Sequence, residues 1–192
     1  MKTSAYSTQR FDMNNIHPNP TNWYVITGGP GSGKTTTINL LSLKGHKTTI
    51  EHARHYIDTQ KQTGRTVEEI RKNQLEFQEG VLQMQIEQEA SLTPGDVVFL
   101  DRAIPDAKAY YRFLSLPEDE LLLTAMSTVS YKKVFILERL PLVNDYARIE
   151  NAEAQEKIHA MITEVYEALP FPVIHVPLLP PEERVNFILK NL

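Results

Sequence analysis

Length, composition and charge exclude several classes of protein before any motif is considered. The chain has 192 residues, 41% hydrophobic and 23% charged, which is ordinary for one soluble globular domain. Its net charge of −4 disfavours broad electrostatic binding to nucleic acid or to an anionic membrane. The absence of cysteine excludes disulfides, thiolate zinc sites and a cysteine nucleophile, and it fits a cytoplasmic location.

The first 21 residues are polar, are interrupted by proline and asparagine, and lack the apolar core of a secretory signal. We therefore predict a flexible N-terminal arm over residues 1–21 and a single domain over residues 22–192. No apolar run approaches the roughly 18 residues of a membrane span, so we expect no integral membrane association.

Five short apolar segments predict the strands of a parallel sheet, because they are near-continuously apolar and rich in β-branched or aromatic residues. They are Trp23–Thr27, Thr48–Glu51, Val97–Asp101, Lys133–Leu137 and Pro172–Val176. Helical patterns separate them, and this alternation predicts an α/β, doubly wound fold.

The predicted helices are Thr35–Leu43, a long segment from Thr66 to about Leu92, Asp106–Leu114, Glu118–Tyr131, Asn151–Leu169 and Pro181–Leu192. Thr66 and Glu69 form a capping-box pattern at the start of the long segment. Gly80, inside that segment, predicts a kink or a boundary between two helices.

Half of the eight glycines lie within six residues, in the segment GGPGSGKT from Gly28 to Thr35. The segment matches the P-loop pattern, and a predicted strand precedes it while a helix follows. Its backbone N–H groups and the helix N-terminus are expected to hold phosphate oxygens. The predicted phosphate-binding residues are Gly28, Gly29, Pro30, Gly31, Ser32, Gly33, Lys34, Thr35 and Thr36.

Two side chains of the loop have predicted roles in chemistry. Lys34 is expected to reach the β- and γ-phosphates, and the Thr35 hydroxyl to ligate Mg²⁺. A plain strand-to-helix turn is the alternative, but it would not require Lys and Thr at these offsets.

Asp101 ends the apolar strand VVFLD, which is typical of the element that holds Mg²⁺ opposite a P-loop. Because ligands bind beyond the carboxyl ends of parallel strands, Asp101 and the P-loop should face one crevice. The alternative is an aspartate that merely closes the strand.

Arg102 follows at once, in the segment FLDRAIPDAKAYYRF. This segment resembles the Asp-Arg segment of thymidylate-kinase-like and other nucleoside and nucleotide kinases. The resemblance implies that Arg102 binds the phosphoryl acceptor or the transferring phosphate, and that the next helix lines the acceptor pocket. That helix offers Asp106, Lys108, Tyr110 and Tyr111, of which Tyr110 is the predicted substrate-binding residue; tyrosines packed in the core are the alternative.

Glu51 ends the second predicted strand, and Arg54 follows one helical turn later. Glu51 stands where deoxynucleoside-kinase-like enzymes keep the base that accepts a hydroxyl proton, and Arg54 could hold an acceptor phosphate or carboxylate. A helix-start glutamate and a solvated arginine are the alternative. His52 and His55 lack a third ligand at fitting spacing, so we expect a pocket edge or surface rather than a metal site.

Arg139 and Arg148 follow the fourth strand, at the lid position of small kinases. A cation on the transferring phosphoryl group can supply about 10³–10⁵ in rate, so we predict a catalytic role for Arg148 and Arg139. Salt bridges along the next helix are the alternative. Pro177 follows the fifth strand, where the resemblance to kinases implies contact with adenine, and the absence of a guanine-reading Asn-Lys-x-Asp pattern favours ATP over GTP.

The order of these motifs resembles the small bacterial AAA-type ATPase family that groups with nicotinamide-riboside-kinase-like P-loop proteins. The resemblance spans residues 22–192 and includes a C-terminal Pro-x-x-x-Arg-x-x-x-Ile pattern. It implies a P-loop NTPase three-layer sandwich with a five-stranded parallel sheet in the order 2-3-1-4-5.

Three functions remain open at this point. The first is a Mg²⁺- and ATP-dependent kinase for a small nucleoside- or nucleotide-like acceptor. The others are a nucleotide-dependent switch with a protein or lipid partner, and a simple ATPase without an acceptor. All three require a nucleoside triphosphate, and the chain is expected to be a monomer or a homodimer.

Overall fold

The computed structural model describes residues 20–140 and 152–192, and this part of the chain forms five strands and eight helices. The strands are β1 (Trp23–Thr27), β2 (Lys47–Thr48), β3 (Val98–Asp101), β4 (Lys133–Leu137) and β5 (Val173–Val176). The helices are α1 (Lys34–Leu43), α2 (His52–Gln62), α3 (Val67–Lys72), α4 (Gln74–Ser91), α5 (Ile104–Phe113), α6 (Glu120–Thr128), α7 (Ala152–Glu167) and α8 (Pro181–Lys190).

All five strands are parallel and lie in the order β2-β3-β1-β4-β5, which confirms the predicted sheet. β1 is central: Ile26 lies opposite Asp101 of β3 on one side and Phe135 of β4 on the other. The carboxyl ends of these three strands therefore meet at one edge of the sheet, where the P-loop begins.

Two apolar cores cover the two faces of the sheet and give the predicted three layers. Alternate residues of β1 point to opposite faces, so Val25 belongs to one core and Ile26 to the other. The first core contains buried residues of α4, α5, α6 and α7, and the second contains those of α1 and α8.

The second predicted strand is wrong over most of its length. β2 ends at Thr48, and the Thr49 hydroxyl then accepts a hydrogen bond from the Asp101 backbone N–H at 2.8 Å. Ile50 is exposed rather than buried, so the apolar pattern did not mark a strand. The chain instead turns at Glu51 into α2, a helix that the sequence analysis did not predict.

The long helical segment divides at a different residue from the one predicted. The capping box of Thr66 and Glu69 is present, but the boundary between α3 and α4 falls at Asn73, whose side chain accepts from the Glu76 N–H. Gly80 lies inside α4 without breaking it. A Cβ at Gly80 would lie 2.1 Å from Tyr56 Cε2, so its missing side chain allows α2 and α4 to pack closely.

Most of the predicted arm over residues 1–21 lies outside the described residues, so the domain division remains a prediction. Within the described residues, every helix is too short or too polar to cross a bilayer.

Candidate functional site

The P-loop joins β1 to α1 through a backbone that side chains would strain. Gly28, Gly31 and Gly33 have φ values of 136°, 77° and 83°. A Cβ at Gly28 would also lie 2.6 Å from the Leu137 carbonyl oxygen. These glycines let the chain curl tightly at the end of β1 and enter α1 with its first N–H groups facing outward.

Lys34 is held by the loop that it follows. Its Nζ donates to the Gly28 and Gly29 carbonyls, both at 2.8 Å, and to Ser32 Oγ at 3.3 Å. Burial, together with repulsion from Arg102, lowers the pKa of Lys34 to about 7. An anion beside this ammonium group would favour its charged form, which is the electrostatic requirement of a phosphate site.

Asp101 reaches the same place from the end of β3. The side chain is 3% exposed, and its Oδ1 has no hydrogen-bond partner in the described part of the chain. Burial raises the pKa of Asp101 to about 6, against the attraction of Arg102 and Lys34. A buried carboxylate oxygen with no donor is suited to a cation or to a water bound to one.

These residues fit Mg²⁺ carried by a nucleotide. Thr35, exposed in the first turn of α1, offers a hydroxyl, and Asp101 offers the unpartnered oxygen. Residues 20–140 and 152–192 contain no cluster of three His, Cys, Asp or Glu side chains arranged for a metal. Mg²⁺ at a phosphate does not need such a cluster, because phosphate and water oxygens complete its shell.

Two side chains to which the sequence analysis gave no role, one of them the arginine of the C-terminal Pro-x-x-x-Arg-x-x-x-Ile pattern, support the back of the P-loop. Arg184 of α8 is 3% exposed, and its Nη1 lies 3.4 Å from both the Ser32 and Gly33 carbonyls. His159 of α7 accepts a hydrogen bond from the Gly29 N–H at its Nδ1, at 3.1 Å. A Cβ at Gly29 would lie 2.8 Å from His159 Cβ, so α7 touches the loop directly.

Arg102 is fixed in position by the first two turns of α5. Its φ is 65°, and its Nη1 lies 2.7 Å from Asp106 Oδ1 while Nη2 lies 3.3 Å from the Tyr110 hydroxyl. Burial works against its charge, but Tyr110, Asp106 and Glu51 keep the pKa of Arg102 above its ordinary value. The guanidinium therefore stays charged while buried.

Asp106 holds Arg102 rather than facing a ligand freely. Its two carboxylate oxygens also accept hydrogen bonds from Thr27 Oγ1 at 2.6 Å, the Tyr166 hydroxyl at 2.7 Å and the Ala103 N–H at 3.1 Å. The side chain is 1% exposed. This network ties β1, α5 and α7 together beneath the P-loop.

The other polar residues predicted on α5 divide between core and surface. Tyr111 is fully buried, and its hydroxyl donates to Asp119 at 2.9 Å, so it packs in the core as the alternative reading had it. Lys108 pairs with Glu118 at 3.4 Å. Tyr110 is the tyrosine that borders open space.

A cavity of about 1300 Å³ extends from the P-loop between α2, α4 and α5. Four predicted acceptor residues line it together, namely Glu51, Arg54, Arg102 and Tyr110. Glu51 is the N-cap residue of α2, but its side chain makes no cap hydrogen bond and so is not occupied by that role.

The opposite wall was missed by the sequence analysis. It is formed by α3 and α4, through Arg71, Phe77, Gln78, Val81 and Gln85. The signal was present as a helical spacing of three, four and seven residues on α4. It was obscured because glutamines, rather than apolar residues, mark much of this face.

His52 and His55 of α2 do not form a metal site with other described residues. His52 is buried at the edge of the cavity, and burial lowers its pKa to about 4, whereas His55 is exposed. His52 therefore lies at the pocket edge and His55 on the surface, which are the predicted positions.

Arg139 and Pro177 lie apart from the residues that line the cavity. Arg139 contacts α7, at 3.3 Å from the Ala152 carbonyl and 3.5 Å from Glu156, which is the salt-bridge alternative. Pro177 is exposed in the turn between β5 and α8. Arg148 lies outside the described residues.

Comparison with known proteins places this geometry in a family. The family model described as an AAA domain matches residues 23–184, which is most of the chain. Among curated proteins, none matches.

Solved structures share the fold at low identity. NadR in complex with NR has a TM-score of 0.65 and 14% identity, over 88% of this chain and 50% of that one. NadR in complex with NAD and AMP-PNP has a TM-score of 0.62 and 15% identity, again over about half of NadR. Deoxyadenosine kinase from M. mycoides, with dCMP and dCDP bound, has a TM-score of 0.60 and 17% identity, over 88% of this chain and 97% of that one.

The chain thus spans about half the length of NadR and nearly all of the deoxyadenosine kinase. Its sheet order and P-loop are those of the P-loop kinase fold. The protein belongs to the AAA-domain family and has the fold of kinase-like P-loop NTPases.

Proposed function

We propose that this protein is a Mg²⁺- and ATP-dependent kinase that transfers the γ-phosphoryl group to a small nucleoside- or nucleotide-like acceptor. The observation that carries the proposal is the cavity of about 1300 Å³, which is continuous from Lys34 and Thr35 to Glu51 and Arg102. Typical ligand pockets occupy about 300–1,000 Å³, so this cavity has room for phosphates and an acceptor together. A switch or a simple ATPase needs space for the nucleotide and does not require additional room for an acceptor.

The donor side of the reaction uses the P-loop and Asp101. The loop of residues 28–36 holds the triphosphate through backbone N–H groups other than those of Pro30, which has none, and Gly29, which donates to His159, while Lys34 neutralises the β- and γ-phosphates. Thr35 and Asp101 would hold Mg²⁺, which would supply positive charge against the charge that develops on the phosphates. The exposed Thr36 continues the first turn of α1 beside these groups.

On the acceptor side, a hydroxyl oxygen attacks the γ-phosphorus. A new O–P bond forms, the bond from the γ-phosphorus to the bridging oxygen breaks, and ADP leaves. Glu51 takes the hydroxyl proton, since its carboxylate lies in the cavity and makes no cap hydrogen bond. Arg102, fixed by Asp106, faces the transferring phosphate and the acceptor.

Arg54 of α2 and Tyr110 of α5, which both line the cavity, complete acceptor binding. Arg148 and Arg139 are proposed to supply further positive charge to the transferring phosphate from the segment after β4. Pro177 is proposed to border the adenine of ATP. Residues 22–192 form the single domain in which this chemistry takes place.

The ligands and names of the structural neighbours support this assignment. NadR was solved with NR and, separately, with AMP-PNP, and the M. mycoides enzyme is a deoxyadenosine kinase. Both combine a small nucleoside-type ligand or product with the fold found in this chain.

The test is a panel of nucleosides and nucleotides incubated with γ-labelled ATP and Mg²⁺. Transfer of label to at least one acceptor, lost in Lys34→Met, is the expected result. Tight ATP binding without transfer to any acceptor would overturn the proposal. In that case, release of labelled phosphate would identify an ATPase, and partner binding that differs between ADP and a non-hydrolysable ATP analogue would identify a switch.

A further inference from the structure

The peptide group between Gly28 and Gly29 is held from both of its sides. On one side, the Gly28 carbonyl accepts a hydrogen bond from Lys34 Nζ at 2.8 Å. On the other side, the Gly29 N–H donates to His159 Nδ1 at 3.1 Å. Because the C=O and N–H of a trans peptide point in opposite directions, Lys34 and His159 lie on opposite sides of one peptide plane.

Neither residue that flanks this peptide has a side chain to fix its orientation. Glycine permits backbone conformations that other residues avoid, and Gly28 already has a φ of 136°. The orientation of the plane therefore depends on its hydrogen bonds. A plane turned over would take the Gly28 carbonyl away from Lys34 and point an N–H toward that ammonium group instead.

His159 can accept this hydrogen bond only while its Nδ1 carries no proton. Burial lowers the pKa of His159 against the attraction of Glu138, so the ring is neutral near pH 7. The cations Arg139 and Lys34 act in the same direction as burial. Glu138 Oε2 lies 3.7 Å from His159 Nε2, which favours the proton on Nε2 and leaves Nδ1 as the acceptor.

We propose that His159 is a positioning residue of the ATP site, whose unprotonated Nδ1 fixes the Gly28–Gly29 peptide and thereby the carbonyl that holds Lys34. His159 is not among the residues that line the cavity, so it acts through the loop rather than on the ligand. The inference rests on the proposed function in one respect, that ATP is the ligand of this loop, and it does not depend on phosphoryl transfer.

Two substitutions of His159 test the proposal through the affinity for ATP and Mg²⁺, measured by calorimetry. His159→Leu removes the acceptor, and Kd should rise about 10-fold, the range expected for a lost buried hydrogen bond. His159→Asn keeps an acceptor on Cγ, where Nδ1 was, and should restore most of the affinity. An unchanged Kd in His159→Leu, or an equal rise in both variants, would overturn the proposal.

A third variant separates positioning of the loop from general support by α7. Ile162 is fully buried on the same helix and packs in the first core. Ile162→Val should lower the melting temperature and leave Kd for ATP unchanged, because it removes apolar packing without touching the loop. If it weakened ATP binding as much as His159→Leu does, the effect would belong to α7 as a whole and the proposal would fail.

Nuclear magnetic resonance tests the hydrogen bond in the wild-type protein without any nucleotide, so it remains decisive if His159→Leu does not fold. With isotope-labelled histidine, His159 Nδ1 should have the chemical shift of an unprotonated ring nitrogen near pH 8, and Nε2 that of a protonated one. The His159 signals are assigned by their loss in His159→Asn. A proton on Nδ1 would overturn the proposal whether or not the protein binds ATP.

These measurements distinguish failure of this inference from failure of the kinase proposal. A Kd for ATP that rises in His159→Leu and recovers in His159→Asn, without transfer to any acceptor, would support the inference and overturn the kinase. Phosphoryl transfer by the wild type with an unchanged Kd in His159→Leu would do the reverse. A wild-type protein that does not bind ATP would overturn both.

Discussion

The two ends of the cavity are built on opposite principles. At the P-loop end, formed by residues 28–36, Lys34 contacts three oxygens and Arg184 and His159 contact the loop from behind, so that Asp101 Oδ1 is the unpartnered buried atom beside it among the described residues. At the helical wall, formed by α2, α3 and α4, Gln85 Oε1 and His52 Nδ1 have none. In the proposed function, the first end is already organised to bind phosphate, whereas the second end has buried polar atoms that remain without a partner.

This comparison makes a general expectation. Substitutions at the P-loop end should impair nucleotide binding or stability, because the fold itself uses those groups. Substitutions at the helical wall should change acceptor binding while leaving ATP binding intact, because this wall lies on α2, α3 and α4 rather than on the loop that contains Lys34.

The largest expected effect is that of Lys34→Met. Removing the ammonium group takes away charge stabilisation of the β- and γ-phosphates, so kcat should fall by about 10²–10³-fold or more. Initial rates with γ-labelled ATP measure this. Lys44→Met, which alters a half-exposed lysine paired with Glu182 just beyond α1, should retain full activity. A Lys34→Met enzyme with normal kcat would contradict the role of the P-loop end.

Glu51→Gln should come next, with kcat reduced by about 10²-fold, because the amide cannot take the acceptor proton. Its binding of ATP, measured by calorimetry, should match that of the wild type. The control is Glu68→Gln, which alters another acidic residue of the cavity lining, on α3. If Glu51→Gln weakened ATP binding as strongly as Lys34→Met does, the distinction between the two ends would fail.

Arg184→Met tests whether the support behind the P-loop contributes to folding. Loss of its charge-assisted hydrogen bonds to the Ser32, Gly33 and Leu179 carbonyls should lower the free energy of unfolding by about 2 kcal/mol. Urea unfolding measures this, and Lys190→Met at the exposed end of α8 is the control. A change below about 0.5 kcal/mol, typical of surface substitutions, would show that the contact is dispensable.

The smallest expected effect is a proton taken up on nucleotide binding. Burial lowers the pKa of Lys34 from 10.5 to about 7, so at pH 8 the free protein holds this side chain mostly neutral. Phosphate favours the charged form, and ATP binding without Mg²⁺ at pH 8 should therefore take up close to one proton. Calorimetry in buffers of different ionisation enthalpy measures the uptake, and proton release instead would contradict it.

The same shift has a consequence for stability, with a defined sign. The unfolded chain keeps the Lys34 proton up to pH 10.5, whereas the folded, nucleotide-free chain loses it near pH 7. The unfolded state thus binds more protons in this interval, and the contribution of Lys34 to stability rises with pH between about 7 and 10.5.

Local sequence signals predicted the fold well where they are self-contained. Four of the strands, the P-loop and the capping box at Thr66 depend on short patterns, and the structure has all of them, whereas the order of the strands was implied by the resemblance to P-loop kinases. Thr48–Glu51 failed as a strand because Thr49 uses its hydroxyl on β3 instead of continuing the ladder. Gly80 failed as a boundary because its purpose is contact with Tyr56, a residue 24 positions earlier in the chain.

The residues of the candidate site also divide into those that local sequence signals could place and those that they could not. Glu51, Arg54 and Arg102 could be placed beside the P-loop because each lies after the end of a strand or in the first turn of the next helix, and Tyr110 because it lies about two turns along α5 from Arg102. Arg184 and His159 could not, since their contacts with the loop join residues more than 120 positions apart. Tyr110 and Tyr111 differ only in the direction of adjacent side chains on α5, which depends on what packs against that helix.

Because three oxygens of the protein already contact Lys34, binding of a nucleotide replaces one set of hydrogen-bond partners with another. Phosphate does not meet an unpartnered Lys34; it competes with the Gly28 and Gly29 carbonyls and Ser32 Oγ for the N–H bonds of this side chain. Affinity is then a difference between two sets of partners rather than the strength of one. When a nucleotide leaves, the Gly28 and Gly29 carbonyls and Ser32 Oγ are already in place to accept hydrogen bonds from Lys34 again.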